Sequence, residues 1–178
     1  MPRTKKPIWP NIEAAFGWQY PEIDEVRIER LDPRCRPWDF DQMLAFCDDL
    51  VARYDDGKPT IMVGHSGGGI FALRVAEQFE HTYVLGIVTI CTPHRLLRDL
   101  YPRKLKVRND IRTPIISVGG MIDGIVPVWA TRHPRARMHK TFFATHRRTF
   151  ARRPYISHHI ARIAKKEFAR PHRPPTSQ

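Results

Sequence analysis

Hydrophobic positions change their period along the chain. EVRIERL (25–31) alternates apolar and polar residues and stops at Asp32-Pro33, which predicts a strand. WDFDQMLAFCDDLVARY (38–54) places Phe40, Met43, Leu44, Phe46, Cys47, Leu50 and Val51 three and four residues apart. That spacing predicts an amphipathic helix with Asp39 at its cap. PTIMVG (59–64) is a short apolar run after the break Asp56-Gly57-Lys58-Pro59 and reads as a buried strand, and GGIFALRVAEQF (68–79) reads as a helix. YVLGIVTIC (83–91) and RTPIISVGG (112–120) are further buried strands, with KTFFAT (140–145) as the last. PYISHHIARIAKKEFA (154–169) is an amphipathic helix with Pro154 in its first turn. Near-continuous apolar strands separated by helices argue for a parallel sheet covered on both faces. The expected fold is a three-layer α/β sandwich with a mostly parallel sheet of about five strands, its N-terminal strands reduced or missing.

Composition narrows this picture little. A chain of 178 residues, 42% hydrophobic and 27% charged, fits one domain over residues 1–169. Residues 170–178, Pro-rich and basic, read as a disordered tail. No apolar run approaches the roughly 18 residues that span a bilayer. The basic start MPRTKKPIWPN has no apolar stretch behind it, so no signal peptide is read and a cytoplasmic location is expected. Cys35, Cys47 and Cys91 are odd in number, widely spaced and fit neither a metal signature nor a disulfide framework. They read as reduced thiols, and no metal or cofactor is expected.

Charge is distributed unevenly. The net +12 falls entirely in residues 131–178, which hold 13 Lys/Arg and one acid, Glu167; residues 1–130 are balanced. Such a segment suits contact with an anionic surface or is a solvated basic face. No nucleic-acid module is visible, and no specific nucleic-acid partner is expected.

The chemistry gathers at one strand–helix junction. Gly64-His65-Ser66-Gly67-Gly68 satisfies G-x-S-x-G. By composition alone a chain this long matches roughly one time in twenty. An apolar strand running into the motif and a helix running out of it raise its value, because a nucleophile elbow needs that context. In this reading Ser66 is the nucleophile, Gly64 and Gly68 leave room where strand and helix approach, and the Gly67 amide points at a developing oxyanion. His65 is expected to point away from Ser66 and shape the elbow by packing. A phosphate-binding loop would want a Lys after the glycines, where Ile70 and Phe71 stand instead.

A serine needs a base, and the base an orienting acid. With the order Ser, acid, His, the acid follows a later strand. Asp123 stands in the loop after 115–119, whereas Asp110 precedes that strand and Asp99 lies in a basic, helix-like segment. The base belongs after the last strand, where KTFFATHRRTF supplies His146. His133 and His139 precede that strand, and His158 and His159 fall within the terminal helix.

These residues resemble the α/β-hydrolase superfamily, and in particular its small lipase- and esterase-like members, over about residues 25–168. The GHSGG elbow, TICTPH (89–94), DGIVP (123–127) and His146 ahead of a Pro-initiated helix are similar to segments of those enzymes, although Arg95 replaces a Gly often found there. Such enzymes usually carry a strand ending in His-Gly whose following amide is the second oxyanion donor. Here KPIWPNIEAAFGWQYP has no His-Gly. If the short IW run is the stub of that strand, Asn11 or Ile12 supplies the amide; Pro10 cannot.

The expected activity is hydrolysis of a carboxylic ester, from a small molecule or a lipid, through a Ser66–Asp123–His146 triad and an acyl-enzyme. LLRDLYPRKLKVRND (96–110) is at most a small cap. Two alternatives stand beside it. The first is a catalytically impaired hydrolase-fold protein that acts by binding, motivated by the missing His-Gly. The second is a binder of nucleic acid or anionic surfaces through residues 131–178.

Overall fold

The computed structural model describes residues 9–22, 29, 39–95, 113–146 and 154–169. The strand expected at 25–31, the cap segment 96–110 and the tail 170–178 lie outside the described residues.

Helix α1 (Trp9–Gln19) opens the described chain. Pro10 sits in its first turn and Ala14 and Ala15 are strong helix formers. This overturns the reading of the IW run as a strand stub. Ile12, Ala15 and Phe16 recur at three- and four-residue spacing and are buried in the main core, a burial that a strand could not give them together.

Helix α2 (Phe40–Tyr54) begins as expected, with the Asp39 carboxylate accepting the Gln42 N–H at 3.1 Å. Strand β1 (Thr60–His65), helix α3 (Gly68–Gln78) and strand β2 (Val84–Ile90) follow. Next come β3 (Ile115–Gly120), a 3₁₀ turn at Val128–Ala130, β4 (Ala136–Phe142) and helix α4 (Pro154–Phe168). The described strands form one four-stranded sheet in the order β1-β2-β3-β4, with every pair parallel. Strand β4 starts four residues before its expected position. ARMHKTF looks too polar for a strand, but it borders the described sheet on one side only, and its side chains are half-buried or exposed.

Alternation along the strands separates two faces. Val88, Ile90, Ile116 and Val118 face α1 and α4, where Ile156, Ile160, Ala161 and Ala164 complete a core. Ile87 and Ile115 point the other way and pack with Leu73 of α3. Helix α2 lies outside α3, with Met43 and Cys47 against Phe71 and Val75. Each fully buried Ile or Leu contributes about 1.5–3 kcal/mol, so these layers hold the sheet rigid beneath its loops. No helix among the described residues is long and apolar enough to cross a membrane.

Because all four strands run the same way, their C-terminal ends share one edge. The residues leaving β1, β2, β3 and β4 therefore meet there, as sites of open parallel sheets do.

Candidate active site

At that edge the chain turns from β1 into α3 through Ser66, whose φ is +55°. A non-glycine residue in the left-handed region costs on the order of 1–3 kcal/mol and must be held by its surroundings. The Ser66 N–H donates to the Ile90 carbonyl at 2.8 Å, and the Gly69 N–H donates back to the Ser66 carbonyl at 3.1 Å. Two glycines let the turn close. A Cβ on Gly64 would overlap the backbone of Gly68 and Gly69, and a Cβ on Gly69 would overlap the Thr92 side chain. Gly68 was expected to share this role and does not, since a Cβ there meets nothing within 4 Å. Gly69, one position beyond the motif, does so instead.

Among the described residues, neither the Ser66 hydroxyl nor the Gly67 N–H makes a hydrogen bond. Gly67 precedes the first residue of α3, where backbone N–H groups point outward and favour negative charge.

Asp123 leaves β3 in a tight loop. Its Oδ1 accepts the Ile125 and Val126 N–H groups, both at 2.9 Å. Its Oδ2 lies 2.7 Å from Nδ1 of His146, and both side chains are buried. Burial works to raise the Asp123 pKa, but the hydrogen bonds from Val126, His146 and Ile125 outweigh it and hold the carboxyl below its usual range. An ionised Asp123 accepts only, so Nδ1 of His146 carries the proton and Nε2 is the basic nitrogen. No hydrogen bond joins Ser66 to His146 among the described residues; in unliganded sites such bonds are often long and tighten in the complex.

His65 packs against His146. Its Nε2 lies 2.8 Å from the His146 carbonyl oxygen, and the two rings are 4.8 Å apart. Cys91, which leaves β2 with φ +49°, is fully buried. Burial, then the Asp123 charge, pushes its thiol well above the usual range. His65, Cys91 and His146 each offer a metal-ligand atom, and these atoms lie within 4.8 Å of one another. The sequence gives no linear sign of this group, since its members leave three different strands.

A second polar group occupies the α3 face of the sheet. Thr89, Ser117 and His139 are successive register partners across β2, β3 and β4. His94 donates to or accepts from Thr89 at 2.9 Å, and its ring meets His133 edge-on at 4.9 Å. Burial drives the His94 pKa down to about 3 and that of His133 to about 4. The neighbouring His133 contributes to the His94 shift, and Arg135 to that of His133. Sequence reasoning set these histidines aside, because only the fold gathers them.

The remaining candidates lie elsewhere. His158 and His159 are packing residues of α4, edge-on to Trp18 and Phe142. Asp99 and Asp110 fall outside the described residues. Asn11 and Ile12 belong to α1, Ile12 with its side chain in the core, so the strand argument for their amides as oxyanion donors no longer stands.

A solved structure shares this fold. A candidate hydrolase of the alpha/beta superfamily from Xanthomonas campestris pv. campestris superposes with a TM-score of 0.58 at 15% identity, covering 87% of this chain and 90% of that one. A candidate hydrolase from Agrobacterium vitis S4 gives a TM-score of 0.48 at 16% identity, covering 71% and 68%. No curated protein sequence matches the chain significantly. Residues 15–175 match the model of the alpha/beta hydrolase family, and with that match spanning most of its length the chain belongs to this family.

Proposed function

We propose that this family member is a serine hydrolase of carboxylic esters. The observation that carries the reading is the buried Asp123–His146 pair at 2.7 Å, placed on the same sheet edge as the strained Ser66 turn. In this mechanism Nε2 of His146 takes the Ser66 proton as the hydroxyl oxygen attacks the acyl carbon. Asp123 fixes the imidazole tautomer and stabilises the imidazolium. The Gly67 N–H donates to the tetrahedral oxyanion, a contribution of about 10²–10³ in rate per donor. His146 then protonates the departing alcohol, and later activates the water that releases the acid.

Met121, Ile122, Ile125 and Phe143 are exposed on the loops that carry Asp123 and His146. They support an apolar acyl group, from a small ester or a lipid. The basic segment 131–178 supports contact with an anionic surface, which steeply salt-dependent binding to anionic vesicles would reveal.

A fluorophosphonate probe tests the central reading. Wild type is labelled and Ser66→Ala is not; equal labelling of both defeats it. One rival, an impaired hydrolase that binds without turnover, is motivated by the missing His-Gly segment. A folded protein that turns over no short p-nitrophenyl ester supports that rival.

A further inference from the structure

Both histidines at the site have one ring nitrogen tied to an oxygen. His65 Nε2 meets the His146 carbonyl at 2.8 Å, and His146 Nδ1 meets the Asp123 carboxylate at 2.7 Å. Metal-ligating histidines are held in this way, with the second-shell oxygen fixing tautomer and ring orientation. Cys91 adds a sulfur, and one ligand atom from each of the three residues falls within 4.8 Å of the others. Ligands around tetrahedral zinc, at about 2.3 Å for sulfur and about 2.0 Å for nitrogen, stand roughly 3.5 Å apart. The cluster therefore needs to contract by roughly 1 Å. Two imidazoles and a thiol suit zinc-like cations and not magnesium or calcium, which prefer oxygen. Of the three, His65 is half-buried, whereas Cys91 and His146 are buried.

We propose that a zinc-type divalent cation binds between His65, Cys91 and His146 and, by occupying the His146 imidazole, switches the site off. On binding, the Cys91 thiol gives its proton to the solvent and the thiolate bonds the cation, with no change of oxidation state. The inhibitory half of this proposal rests on the serine-hydrolase reading, whereas the binding half does not.

Cobalt(II) is the probe that separates the two. One equivalent added to wild type is expected to give thiolate-to-cobalt charge-transfer absorption, together with the intense visible bands of a tetrahedral site. Zinc should displace it. The charge-transfer band should vanish in Cys91→Ser, and His65→Gln should bind cobalt about 10- to 100-fold more weakly. Zinc should slow fluorophosphonate labelling of wild type by at least about tenfold, with recovery on adding a chelator. Absence of a thiolate band in wild type overturns the metal site. So does a band that persists in folded Cys91→Ser, which would come from Cys35 or Cys47. Should Cys91→Ser not fold, unchanged cobalt affinity in His65→Gln overturns the site by itself. A thiolate band in a protein never labelled at Ser66 supports the metal site while defeating the hydrolase reading. Labelling without any band does the reverse.

Discussion

His65 Nε2 lies 2.8 Å from the backbone carbonyl oxygen of His146, so the residue before Ser66 holds the loop that carries the proposed base. A neutral hydrogen bond of this kind contributes about 0.5–1.5 kcal/mol. If it positions His146, His65→Phe lowers kcat roughly 2- to 10-fold with KM unchanged, and His65→Gln, which keeps a donor, recovers part of the loss. Steady-state kinetics on a short p-nitrophenyl ester checks this. An effect confined to thermal stability would make His65 a packing residue only.

Asp123→Asn tests the tautomer argument. The amide that replaces Oδ2 is able to donate toward His146 Nδ1, which moves the imidazole proton to the wrong nitrogen. The expected loss in kcat is about 10³–10⁴-fold, with the folded structure retained. Ser66→Ala should lose at least as much. Parallel kcat measurements and melting curves distinguish lost chemistry from lost folding.

The buried histidines predict how stability follows pH. His94 and His133 titrate near 3 and 4 when folded, against an ordinary value of 6.5. Below pH 6.5 the unfolded chain takes up protons that the folded chain refuses. Their contribution is therefore complete above pH 6.5 and is lost as pH falls toward 4, at up to about 1.4 kcal/mol per pH unit for each proton withheld. Urea unfolding from about pH 8 down to about pH 4.5 should show the decline, and His94→Asn should flatten it. An equal slope in both proteins would mean that other groups cause the acid sensitivity.

Two glycines of one motif should respond oppositely to alanine. At Gly64 a methyl group overlaps backbone atoms of Gly68 and Gly69, which cannot swing aside as a side chain would. Gly64→Ala is expected to cost about 1–3 kcal/mol and to depress activity by moving Ser66. Gly68→Ala meets open space and enters a helix, so it should be neutral or stabilising by up to about 1 kcal/mol. Melting temperatures of the two variants decide the point.

Local grammar made the strand–turn–helix around Ser66 readable: an apolar run, a glycine-rich turn and a helical period occupy some twenty consecutive residues, from Pro59 to Gln78. The Asp39 cap was readable for the same reason. Chain order alone pairs Asp123 with His146, which the structure brings to 2.7 Å. What stayed hidden depends on tertiary context. The helix at Trp9–Gln19 is stabilised by its contact with α4, and β4 begins early because β3 offers it partners from Ile115 onward. The meeting of His65 and Cys91 with His146 has no signature in spacing, because parallel strands juxtapose residues that lie 26 and 55 positions apart.

Sheet order has a consequence for the timing of synthesis. The described strands lie side by side in the order in which they are made, so each can be laid against one already present. Ser66 is made 80 residues ahead of His146. At about 5–20 residues per second the serine emerges roughly 4–16 s before the histidine. Throughout that interval the nascent chain holds a hydroxyl with no proton acceptor at Nε2. Under the proposed mechanism the growing polypeptide therefore stays inert toward esters until its last described strand has docked.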